Sequence, residues 1–222
     1  MLTPYDWQEA IGNRASFIEG RLAVGAPVLA LSIDEGIVMF TYRRYTNKIF
    51  EVYDNLAFSA IGQQSDIETL RMAAIDFAHQ EGFNRSENDV TIRRVVSTLS
   101  TPIKRGFADF SSPPFIFRGL FAELGDGPAT DTYAVLDYEG EFKTHRNWAF
   151  LVGSDEFVES LRTEMTKLHA AGLKPGEAKT KLKALWDKTF PAEMPEGYEP
   201  ECVLLRREQD GTGTFVQLTP QS

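Results

Sequence analysis

The sequence predicts an α+β fold in which antiparallel sheets are covered by paired helices. Three observations predict it. Strand-like and helix-like segments come in blocks: helix, strands, two helices, strands, two helices, strands. That order is not the strict alternation of a parallel α/β sheet. The first two strand-like runs, Val28–Ile33 and Ile37–Tyr42, are apolar at successive positions, as expected of a sheet covered on both faces. The chain also carries 16 Phe among 222 residues, enough for a thick core.

The elements follow in order. Trp7, Ala10, Ile11, Phe17, Ile18 and Leu22 recur at three- and four-residue steps and predict a first helix, with Asp6 able to cap it and Gly25 and Pro27 to end it. Asp34-Glu35-Gly36 is the tight turn between the first two strands, and Lys48–Tyr53 with Leu56–Ile61 forms a second hairpin around Asp54-Asn55. Ser65-Asp66-Ile67-Glu68 has the spacing of a capping box before a stripe of Ile67, Leu70, Ala74, Phe77 and Ala78 that ends near Gly82. Another helix is expected from Ser86–Asp89 through Val90, Val95 and Leu99, disturbed at Pro102. Strands resume at Phe115–Glu123, Tyr133–Asp137, Glu141–Lys143 and Trp148–Val152. Ser154 caps a helix with Phe157, Leu161, Met165 and Leu168 inward, Gly172 closes it, and Pro175 opens the last helix, which buries Ala178, Leu182, Leu185 and Trp186. A hairpin of Cys202–Arg206 and Thr214–Leu218 around Asp210-Gly211 completes the chain.

Composition narrows the function. With 42% apolar and 25% charged residues the chain is of ordinary globular make-up, not disordered. The net charge is −9, which repels phosphate and argues against a general nucleic-acid binder. A single cysteine, Cys202, permits no intrachain disulfide and fits a reducing compartment. The longest uncharged apolar run, Leu22–Ile33, is too short to cross a bilayer, and the first residues lack a secretory pattern. A cytoplasmic protein without a membrane partner is therefore expected.

Motifs for phosphate binding, dinucleotide binding, zinc proteolysis and the serine nucleophile elbow are all missing. His79, His145 and His169 are widely spaced, so no metal site and no cofactor is expected. Cys202 lies in an apolar run and reads as an inert core thiol, and the lysines between Lys174 and Lys188 read as the solvated face of a helix.

The segments Gly25-Ala26-Pro27-Val28-Leu29-Ala30-Leu31, Asp34–Met39, Lys48–Asp54 and Phe58–Gly62 resemble the opening hairpins of the proteasome subunit family. Asp66–Gly82, Asp89-Val90-Thr91 and Trp148–Leu161 are similar to its later elements, best to the α-type branch, and the similarity covers nearly the whole chain. The resemblance implies one domain over residues 1–222, with a gate segment and helix in 1–24. It implies a four-layer αββα sandwich of the N-terminal-nucleophile type. It further implies a homo-heptameric outer ring that caps rings of β subunits, admits unfolded protein substrates and receives the C-termini of ATPase activators.

Catalytic β subunits of that family use an N-terminal threonine at the head of the first strand. Aligned on Ile37-Val38-Met39, the nucleophile position falls at Ala26 and the supporting acid at Tyr42. No catalytic residue is expected, and the chain reads as a non-catalytic member of a threonine-type endopeptidase complex. A catalytically active N-terminal-nucleophile hydrolase, or a ring protein with no protease partner, is the alternative. By the same resemblance Lys48, Gly25, Gly62 and Gln63 line a pocket for an activator's terminal carboxylate, where an ammonium gives a charge-assisted bond. The bland reading of Lys48 is a solvated lysine at a strand end. Tyr5 and Asp6 fall in the gate segment. Phe107 and Phe110, in Gly106–Ser112, fall where α rings build a pore constriction, against the alternative of an ordinary surface loop.

Overall fold

The computed structural model describes residues 4–190, 196–208 and 213–218. Ten strands form two antiparallel sheets among the described residues. The first sheet has the order β10 (Gly213–Gln217), β9 (Glu199–Arg207), β2 (Gly36–Arg43), β1 (Val28–Ile33) and β8 (Trp148–Leu151). The second has β3 (Ile49–Tyr53), β4 (Leu56–Gly62), β5 (Phe117–Glu123), β6 (Thr132–Leu136) and β7 (Phe142–Arg146). Helices α2 (Gln64–Asn84) and α3 (Ile92–Ala108) cover the second sheet. Helices α4 (Val158–Ala170) and α5 (Pro175–Thr189) cover the first. The result is the α+β sandwich with helix pairs outside, and α1 (Pro4–Leu22) precedes it.

Side-chain alternation along the strands divides the core into three layers. In β1, Val28 and Ala30 face the other sheet, while Leu29, Leu31 and Ile33 pack beneath α4 and α5. In β4, Ala57 and Ile61 point between the sheets and Leu56, Phe58 and Ala60 point toward α2 and α3. Both faces are covered, which is why these strands read as unbroken apolar runs. The register Leu29↔Phe40 through Ile33↔Gly36 closes the first hairpin at the expected turn.

Helix α1 packs on β4 and β5 and sends Ile18 and Leu22, both fully buried, into the layer between the sheets. Tyr138 donates its hydroxyl to Glu19 at 2.9 Å. The last turn lies so close to Gly153 that a Cβ there would meet the Leu22 carbonyl oxygen at 2.1 Å.

Four expectations need correction. The first helix runs from Pro4, so Asp6 lies within its first turn, where its charge suits the helix dipole, and not at the position before the helix. The Ser65–Glu68 capping box does not form: α2 starts at Gln64, Asp66 accepts the Ile116 amide at 2.8 Å, and Glu68 pairs with Arg71. Helix α3 continues through Pro102 to Ala108. An interior proline costs about 3 kcal/mol. Burying Ile103 and Phe107 beyond it is of comparable worth, about 1.5–3 kcal/mol for each side chain. Phe107 is consequently a buried helical residue and not part of a loop. Ser154 caps a short 3-10 turn, Asp155–Phe157, that leads into α4. Residues 210 and 211, expected in the last turn, lie outside the described residues, as do Met1–Thr3 of the gate segment.

Candidate functional site

The head of β1, the start of β3 and the end of β4 converge on one cavity of about 430 Å³. Lys48 lines it together with Gly25, Ala26 and Gly62. Gln63 does not; its side chain turns away to donate to Ser65 Oγ at 2.9 Å, and Gln64 lines the wall in its place. Gly62 adopts φ +138°, and a Cβ there would meet the Ile116 carbonyl oxygen at 2.1 Å, so the backbone itself requires glycine.

Lys48 is held at three points. Its backbone amide donates to Glu201 Oε2 at 2.7 Å, its carbonyl accepts Ser59 Oγ at 2.7 Å, and its ammonium donates to the Ala26 carbonyl. This is not a lysine waving from a strand end. Burial pulls the ammonium down to about 7, with the neighbouring Glu201 carboxylate opposing. Arg21, Arg43 and Arg44 also line the cavity, and among its described lining residues there is no carboxylate. Arg43 is tied to Glu199 at 3.1 Å. Arg44 lies over the Tyr45 ring, 4.8 Å from its centroid, and faces Tyr198 at 5.9 Å. A chain with a net charge of −9 thus gathers four cations around one opening.

Ala26 lies within the chain, between α1 and β1, so its nitrogen is a chain amide and its side chain a methyl. The adjacent Pro27 carbonyl accepts Thr41 Oγ1 at 2.7 Å and Trp186 Nε1 at 2.9 Å. Tyr42 donates to Asp187 Oδ1 at 2.8 Å.

No protein-family model matches the chain. Individual proteins do. The proteasome subunit alpha of a Nocardioides species is 25% identical over a 225-position alignment that spans 96% of this chain and 84% of that protein. That of Streptomyces coelicolor is 26% identical, spanning 88% and 80%. That of Xylanimonas cellulosilytica is 30% identical, spanning 67% and 62%. The chain belongs to the bacterial proteasome α-type subunits.

For an α-type chain the remaining residues of interest lie around α1. Tyr5 is 82% exposed in its first turn, next to Asp6. Phe107 is buried and packs on Tyr138, with ring centroids 5.5 Å apart. Phe110 is 41% exposed and meets Trp7 of α1 edge to face at 4.9 Å. Arg14 joins the two segments: Nη2 donates to the carbonyls of Gly106 and Ser112, at 3.1 and 2.7 Å, and the guanidinium lies 4.9 Å from the Phe110 ring. Helix α1 and the segment after α3 therefore form one unit. Among the described residues no group of His, Cys, Asp and Glu could hold a metal ion, and no helix is long and apolar enough to cross a membrane.

Sequence reasoning missed Glu201, the three arginines and Arg14. The signal for Glu201 was present: a carboxylate heads the apolar run Cys202–Leu205, and a charge there must find partners. The arginines are scattered over positions 21, 43 and 44, and only folding brings them together.

Proposed function

We propose that this chain is a non-catalytic α-type subunit that forms, as a single domain, the outer ring of a proteasome core particle. In this reading it gates the entry of unfolded protein, docks the C-termini of an ATPase activator, and leaves hydrolysis to β subunits in the cytoplasm. The observation that carries it is the Lys48 cavity: four cationic side chains, no carboxylate among the described lining residues, and glycine at positions 25 and 62. A terminal carboxylate entering such a cavity gains a charge-assisted bond, and glycine walls let its backbone approach. The absence of catalysis rests on Ala26, which offers neither hydroxyl nor free amine where the family's nucleophile would stand. Tyr5, Asp6 and Phe110 are the proposed gate-side residues.

Native mass spectrometry of the chain, alone and co-expressed with a β subunit from the same source, tests the assembly. Heptamers stacked on a β ring, with this chain at its full mass, are expected. A persistent monomer, or self-cleavage exposing a threonine, serine or cysteine, would overturn the reading. Lys48→Ala in the assembled particle should abolish stimulation by the activator and leave the rings intact.

A further inference from the structure

Glu201 is almost fully buried, yet it lies on β9 of the first sheet and acts on β3 of the second. Oε2 accepts the Lys48 amide at 2.7 Å and Oε1 accepts the Ile49 amide at 3.2 Å. A carboxylate taken out of water needs good partners, and the two oxygens here accept one each of two consecutive amides. β3 is an edge strand, so the N–H groups at its start need a partner from outside the ladder. Glu201 provides it at the residue that carries the cavity's lysine.

We infer that Glu201 is the positioning residue of the Lys48 cavity: it fixes Lys48 through the backbone amides at the start of β3 and supplies a negative charge to the surroundings of the lysine ammonium. The inference rests on the proposed reading of the cavity as a receptor for a terminal carboxylate. Nothing in the reading so far assigns Glu201 a part in it.

The electrostatic setting makes the assignment specific. Arg21 from α1 and Arg43 and Arg44, at and after the end of β2, line the same cavity, while the charge that acts on the ammonium is Glu201 from β9. Tyr42 lines the cavity, and Glu199 is committed to Arg43. Burial already brings Lys48 down to about 7, with Glu201 working against that fall. Without the carboxylate the lysine would hold its proton only to a lower pH and would offer a terminal carboxylate less charge at neutral pH.

The test separates geometry from charge. Glu201→Gln keeps the length and removes the charge; Glu201→Asp keeps the charge and shortens the reach. Lys48 is titrated through its 13Cε resonance, assigned by its loss in Lys48→Arg. Binding is read by anisotropy with a labelled hexapeptide ending in a free carboxylate, against the same peptide amidated. In Glu201→Gln the Lys48 titration should move to lower pH, and carboxylate-peptide affinity at pH 7.5 should fall at least fivefold and recover toward pH 6. In Glu201→Asp the midpoint should stay and affinity should fall at every pH. An unchanged Lys48 titration in Glu201→Gln would overturn the inference. If that variant does not fold, undiminished affinity in Glu201→Asp would overturn it. Equal binding of free and amidated peptides by the wild type would instead overturn the proposed function, and the titration would still decide Glu201.

Discussion

Arg207 reaches Asp131 at 2.7 Å, and Asp131 is completely buried. The same guanidinium donates to the carbonyls of Gly125 and Asp34, both at 2.9 Å, and so ties the end of β9 to the turn before β6 and to the first hairpin. Removing one partner of a buried pair strands the other charge, which costs about 3–5 kcal/mol. Arg207→Ala should lose that much in urea unfolding at pH 7. Burial raises the Asp131 carboxyl above its ordinary 3.8, with the Gly125 amide and Arg207 opposing. A folded state that holds its proton to higher pH than the unfolded chain loses stability as pH rises through that window. The variant, with its folded value pushed higher still, should show its largest deficit at pH 7 and a smaller one near pH 4.

Lys48 gives the opposite sign. Its amine titrates at about 7 in the fold against an ordinary 10.5, so the unfolded chain binds the extra proton between those values. Stability should therefore rise with pH across that interval, and Lys48→Met should flatten the rise. Docking of a carboxylate peptide needs the charged form and should weaken as pH passes upward through about 7. Parallel pH series of chemical unfolding and peptide anisotropy check both.

Arg14→Ala should release α1 from the segment after α3. Two hydrogen bonds to backbone carbonyls are lost, worth about 1–2 kcal/mol together. Amide exchange should quicken by roughly tenfold in α1 and in residues 109–112, since 1.4 kcal/mol is a factor of ten. Exchange under α4 and α5 should not change.

Pro102→Ala should stabilise the protein. Pro102 is exposed within α3, so alanine fits and restores a donor to the Thr98 carbonyl. A gain of about 2 kcal/mol is expected, the interior-proline cost of about 3 kcal/mol less about 1 kcal/mol for the freer unfolded chain, read as a rise in the urea midpoint.

Much of the fold was legible because its strands are buried on both faces and announce themselves as apolar runs. Val28–Ile33 and Leu56–Gly62 fall within a residue of where the pattern puts them. Local punctuation was less dependable. Ser65 and Pro102 carry strong local signals, and both are overruled by tertiary bonds: Asp66 is drawn to Ile116, and Ile103 and Phe107 are drawn into the core. The site divides along the same line. Lys48, Gly25 and Gly62 sit in segments whose sequence resembles a known family, and the fold brings them to one cavity. Gln63 fails by one residue, because a single step at a helix start turns a side chain outward. Glu201 and the arginines come from three separate segments, a convergence that no spacing along the chain encodes.

The close seat of α1 on Gly153 has a structural cost. Any side chain there would strike the backbone oxygen of Leu22 and lever the helix away, stripping Ile18 and Leu22 of their cover. The loop before α4 is thereby committed to glycine by a helix more than a hundred positions earlier in the chain. A chain of this architecture that shed its leading helix would be free to spend that position on any residue.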